Sequence, residues 1–188
     1  MQQTVNERLE LAMKATRQSA LLSGAETDPE SDKFKAHLDL MRSVLGCKTG
    51  VLTHPLIFNM ALCDSKMNAE YRTAIRASLR GIVPEAAHIS AILKWWWKSV
   101  NKDVSAIRGQ RVEKREKYAW EQHDFLMSHE AFAEANDRTA RLVYYMFVVS
   151  LGLRVKIIKA NKAIAYGERQ RDYRRDKFIP LMKKKRYL

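Results

Sequence analysis

Apolar residues recur every three to four positions along most of the chain, and this spacing predicts a mostly α-helical protein. From Val5 to Leu22, Leu9, Met13 and Leu21 fall on helical spacing, and Gly24 supplies a stop. Gly24 to Asp32 (GAETDPESD) breaks the pattern; with Pro29 and four carboxylates it reads as a linker. A second helix is expected over Phe34 to Leu45, ended by Gly46. A third, short one is expected over Pro55 to Cys63, with Thr53 as N-cap and Pro55 in its first turn. Between Tyr71 and Val83 the period changes. Ile75, Ala77 and Leu79 alternate, and Gly81 and Pro84 interrupt, which predicts a short β-hairpin or extended flap.

Further helices are expected over Glu85 to Asn101, Gln110 to Met127, Asp137 to Leu151 and about Ala160 to Arg175. Trp95, Trp96 and Trp97 stand in the first of these. Adjacent helical side chains point about 100° apart, so three indoles cannot share one core face, and one or two must cover a neighbouring segment or a partner. The longest apolar run, Leu142 to Leu153 (LVYYMFVVSLGL), is far below the roughly 20 residues of a membrane-spanning helix. It reads as a buried core helix. The pattern divides the chain into an N-terminal helix (1–24), a linker (25–33), a core (34–153) and a basic C-terminal helix and tail (154–188).

Composition adds three constraints. The 188 residues, 46% of them apolar, suit one domain with a real core. Cys47 and Cys63 lie sixteen apart without a CxxC or Cys/His pattern, which speaks against structural zinc and a disulfide framework. With no signal-peptide pattern at Met1, the expected location is the cytoplasm. The net charge of +13 is uneven: residues 154–188 hold thirteen Lys and Arg against three Asp and Glu, a net +10. Such an end calls for an anionic partner, nucleic acid or another polyanion, unless it only solubilises the chain.

The densest candidate chemistry lies in Ala131 to Leu142, AFAEANDRTARL. A loop runs directly into a helix, whose first N–H groups have no intrahelical acceptor and whose dipole favours anions there. Ala135 and Asn136 let the backbone curl around an anion. Arg138 and Arg141, three apart on one face, would add guanidinium donors for phosphate. Glu134 could hold a divalent metal such as Mg²⁺. An ordinary helix start with solvated arginines would look the same.

This segment resembles the signature of Fic and Doc proteins, HxFx(D/E)(G/A)N(G/K)RxxR. Phe132, Glu134, Ala135, Asn136, Arg138 and Arg141 match in register, and Ala135-Asn136 with Arg138-Thr139-Ala140 is similar to the Doc form ANKRTA. Upstream, Ala119 and His123, the Glu70–Thr73 stretch, Pro84 and the tryptophan-bearing helix follow in family order. The resemblance spans roughly Thr53 to Leu153 and implies a Fic-like helical core with a short β-hairpin flap. It also implies transfer of AMP or phosphate from ATP with Mg²⁺ to a hydroxyl of a protein target. Ala135, Asn136, Asp137, Arg138 and Arg141 would then bind the nucleotide, and Glu134 the metal.

The chain departs from the signature where chemistry matters most. Glu130 occupies the position of the family's catalytic histidine, His129 precedes it, and Ala131 replaces the usual proline. A base must reach its proton with a suitable pKa, which leaves a shifted His129, Glu130, or loss of transfer. Asp137 adds a carboxylate close to bound phosphate, a repulsion of about 1–4 kcal/mol in a semi-aqueous site. Ser19 to Gly24 (SALLSG) faintly resembles the inhibitory helix of some Fic proteins, with Ser23 in place of the blocking glutamate. His37, His54 and His88 read as structural, and His123 as a hydrogen-bonding support of the loop. Two functions remain: a catalytically impaired, phosphate-binding Fic-like protein, or a non-enzymatic helical scaffold in an assembly, using the basic tail and tryptophans as contact surfaces.

Overall fold

The computed structural model describes residues 3–47, 52–63 and 83–188. The regular elements of these residues are all helical, so the protein is mostly α. The flap expected over Tyr71 to Val83 lies, Val83 apart, outside the described residues.

Helix α1 (Val5–Ser23) opens with a capping box. Thr4 accepts from the Glu7 N–H at 3.2 Å, and Glu7 accepts from the Thr4 N–H at 2.6 Å. It ends at Gly24 in the left-handed conformation, φ 62°. Helix α2 (Asp32–Gly46) is capped by Ser31 and folds back on α1. Small buried residues on α1, Ala12 and Ala15, and the glycine at 46 beside Leu9, let the two helices approach closely. Helix α3 (Pro55–Leu62) has Pro55 in its first turn as expected, but its cap is His54, whose Nδ1 accepts from the Leu56 N–H at 3.2 Å. Thr53, expected to cap, instead donates its N–H to the Met146 sulfur at 3.0 Å.

Helix α4 (Ile89–Arg108) runs further than its apolar start predicts, because Val100 and Val104 extend the buried stripe begun by Ile89, Ile92, Leu93 and Trp96. Trp96 alone of the three tryptophans is buried. It stacks on Phe125 and donates its Nε1–H to Gln122 at 2.8 Å. Trp95 and Trp97 are half-buried; Lys185 lies 4.5 Å over Trp95, and His54 meets Trp97 edge-on at 5.0 Å. All three rings thus have partners within the chain.

Helices α5 (Val112–His129) and α6 (Asn136–Ser150) form a hairpin at the centre. From Thr139 to Ser150 every residue of α6 is buried, because α1, α2, α3 and α5 surround it. Gly152 (φ 67°) turns the chain into an extended segment tied to the Tyr145 hydroxyl at Ile158 and to Gln18 at Ala160. Helix α7 (Ala163–Tyr173) continues through a π-turn (Arg174–Phe178) into α8 (Ile179–Lys184). The π-turn ends two residues before Pro180, whose ring nitrogen cannot donate to the preceding turn. No helix of the described residues is long and apolar enough to cross a membrane.

Candidate functional site at the start of helix α6

The loop between α5 and α6 is held by amide side chains. Asn136 accepts from the Phe132 N–H at 2.8 Å and donates to the Phe132 carbonyl at 2.7 Å, closing the loop on itself. From α3, Asn59 donates to the Glu134 carbonyl at 2.9 Å and to the Thr139 hydroxyl at 3.2 Å, pinning loop and helix together. Ala135 takes the left-handed conformation (φ 53°) and its carbonyl accepts from the Thr139 N–H at 2.9 Å, so the helix begins without a side-chain cap. Sequence spacing carries the Phe132–Asn136 pairing. Nothing in the sequence marks Asn59, which is 75 residues or more from its partners.

The chain's own groups engage much of this cradle. Asp137 accepts from the Arg138 N–H at 2.8 Å, placing a carboxylate at the helix N-terminus where an anion is favoured. Its other oxygen lies 3.1 Å from Arg141. Burial would raise the Asp137 carboxyl, but Arg141, Ser23 and the Arg138 N–H outweigh it and hold it below its usual range. Arg141 is fully buried. It donates to the Ser19 hydroxyl at 2.8 Å, the Ser19 carbonyl at 2.9 Å, the Ser23 hydroxyl and, more distantly, Tyr166 at 3.4 Å. The two α1 serines of the SALLSG stretch thus hold the second arginine of the RxxR pair.

Arg138 is placed differently. Its guanidinium is half-buried and makes no ion pair or hydrogen bond among the described residues. It lines a cleft of about 250 Å³ with Ala25, Glu26, Lys33, Phe34 and His37. Burial first, then the nearby Arg138 and Arg141, push the His37 imidazole down to about 3. His37 is therefore neutral near pH 7.

Behind the cradle runs a buried polar chain. The His123 imidazole lies 2.8 Å from Asp124 through Nδ1 and 2.7 Å from the Tyr166 hydroxyl through Nε2. A carboxylate only accepts, so Nδ1 carries the hydrogen and Nε2 accepts from Tyr166. Burial pushes His123 down to about 4 despite Asp124. Asp124 in turn binds Arg169 at 2.9 Å. His123 thus supports the loop through Tyr166 and Arg141, the role its sequence position suggests, while Tyr166 carries no sequence signal at all.

The two candidate bases differ in exposure. His129 is fully buried at the end of α5, out of reach of a target protein's hydroxyl. Glu130, left-handed at φ 46°, keeps 14% of its side chain exposed and lies 3.7 Å from Arg174 of the π-turn. Glu134 is exposed on the loop, and among the described residues no group of three His, Cys, Asp or Glu side chains gathers to hold a metal. A lone carboxylate suits Mg²⁺ only when phosphate supplies further ligands. For ATP the fit is partial: Arg138, the loop and Glu134 suit a phosphate, whereas Asp137 and the engaged Arg141 oppose one.

No family model matches the chain, and no curated protein or solved structure proves significantly similar to it.

Proposed function

We propose that the chain is a Fic-like phosphate- or nucleotide-binding protein whose cradle at the start of α6 is retained but held closed, and whose transferase chemistry is impaired. The observation that carries this reading is the double engagement of the cradle: Asp137 on the Arg138 N–H, and Ser19 and Ser23 on Arg141. A loop kept only for packing needs no uncommitted arginine beside it, yet Arg138 faces a cleft with Lys33. The burial of His129 and the pairing of Glu130 with Arg174 support impairment, because a general base must be free to reach the proton it removes. ATP with Mg²⁺ is the proposed ligand. Arg138 and the loop amides would bind its phosphates, Glu134 would share the metal, and no group-transfer step is assigned.

Calorimetric titration of Mg·ATP into the protein and into Arg138→Ala tests this. Weak binding by the wild type that is lost in the variant supports the reading. No heat and no thermal stabilisation at millimolar ATP would leave the second reading, a helical scaffold in an assembly. That reading is favoured by the burial of His129 and the pairing of Glu130 with Arg174, but the three tryptophans do not help it, since all have partners within the chain.

A further inference from the structure

Two adjoining clefts lie on the face where α1, the extended segment after Gly152 and α7 meet. One, of about 600 Å³, is lined by Met13, Lys14, Arg17, Leu21 and Lys159 among others. The other, of about 390 Å³, carries Trp120, Tyr144, Lys156, Lys162, Tyr166 and Arg169. Ile157 and Lys159 belong to both linings, so the clefts share a ridge.

Six cations line this double cleft: Lys14, Arg17, Lys156, Lys159, Lys162 and Arg169. The only carboxylate among the described lining residues is Glu116, which is taken by Lys156 at 2.6 Å, and Arg169 is paired with Asp124 behind the cleft at 2.9 Å, which leaves four uncompensated cations. Lys14, Arg17, Lys159 and Lys162 are exposed and make no ion pair among the described residues. Concave walls of one sign concentrate field and draw an anion inward.

The cations alternate with flat and apolar surface. The Arg169 guanidinium covers one face of the Trp120 ring at 3.4 Å and the buried Tyr144 stacks on it at 4.1 Å, so the flat surface offered to the cleft is the outer face of the Arg169 guanidinium. The Arg169 Nε is buried with no hydrogen-bond partner among the described residues. Met13 and Leu21, both exposed, give the first cleft an apolar side. Single-stranded nucleic acid is held by this combination: cations follow the phosphates while bases lie on guanidinium planes and apolar side chains. An acidic peptide offers no bases for such surfaces, and a membrane surface does not enter a cleft.

The terminal run Lys183 to Arg186, the more conspicuous basic feature in the sequence, is arranged less favourably. Its members are consecutive in and just after α8, so they point in different directions, and Lys185 already rests on Trp95. We infer that the double cleft between α1 and α7, and not the basic tail, binds a short stretch of single-stranded nucleic acid. The cleft shares Tyr166 and Arg169 with the polar chain behind the α6 loop, but the lysines tested below lie outside that chain, so either reading can fail without the other.

Fluorescence anisotropy with labelled oligo-dT and oligo-U of roughly 12 nucleotides, using the full chain, tests this. Competitors are a duplex, poly-glutamate and anionic lipid vesicles. The single strands are expected to bind, with a log–log salt slope of roughly −2 to −3 for three or four phosphate contacts. Lys159→Glu combined with Lys162→Glu should weaken binding about tenfold or more, and Lys183→Glu with Lys184→Glu no more than about threefold. These side chains are exposed, so unchanged thermal unfolding is expected to accompany the loss. A larger loss from the tail pair, equal competition by duplex, poly-glutamate or vesicles, or no binding at about 50 mM salt would overturn the assignment.

Discussion

Arg141 and Arg138 stand three residues apart in the sequence and look equivalent there, yet one is sealed and the other faces a cleft. The difference comes from α1, more than a hundred positions away, whose Ser19 and Ser23 reach Arg141 and not Arg138. Helical spacing says which residues share a face; it does not say what lies against that face. The histidines have the same long-range origin. A free imidazole titrates near 6.5, but burial holds His37 at about 3 and His123 at about 4. Between about pH 6.5 and those values the unfolded chain binds more protons than the folded one. Stability is therefore fully present above pH 6.5 and declines as pH falls through this window, by at most about 1.4 kcal/mol per unit for each histidine. Thermal unfolding followed from pH 7 to pH 4 should show this acid limb, and His37→Gln should flatten it. An unchanged limb in that variant would mean that His37 is not held neutral by burial.

At the scale of elements, the helices were legible because their apolar stripes and stops are local. Gly24 and Gly152 end or break helices where expected, both in the left-handed conformation. Boundaries moved where the local signal was outweighed. α4 extends to Arg108 on the strength of Val100 and Val104, and α5 runs to His129 before Glu130 turns left-handed. The cap of α3 is His54 and not Thr53 because the helix begins at Pro55, which puts His54 at the cap position with its Nδ1 on the Leu56 N–H. The α5–α6 loop depends on a third element in a way that no local pattern reveals. Asn59 of α3 is buried and bridges the loop to α6. Asn59→Ala should cost about 1–3 kcal/mol by urea unfolding, the usual range when buried hydrogen-bonding groups lose their partner. It should also speed amide exchange in residues 132–136. Loss of stability without faster exchange there would show that Asn59 supports α3 packing and not the loop.

For the molecule as a whole, the pattern of charge was legible in amount but not in arrangement. The sequence concentrates positive charge after residue 153. Folding splits it between the exposed end of α8 and a double cleft where Lys156, Lys159, Lys162 and Arg169 meet Lys14 and Arg17 of α1. The candidate site was legible in the same partial sense. Its loop and helix start lie where the AFAEANDRTARL segment predicts, and Asp137 stands at the helix N-terminus as an internal anion. Its closure by α1 and its linkage through Tyr166 to His123 arise only from tertiary packing.

On the proposed function, the cradle at the start of α6 is intact and Asp137 occupies it. The most direct test is calorimetric titration of Mg·ATP into the wild type and into Asp137→Asn, which keeps the side-chain shape and removes the charge. Removing a repulsion of about 1–4 kcal/mol should tighten binding by about fivefold or more. Equal affinities, or no binding by either protein, would contradict it: the first would mean that Asp137 does not obstruct the cradle, and the second that the cradle no longer binds nucleotide.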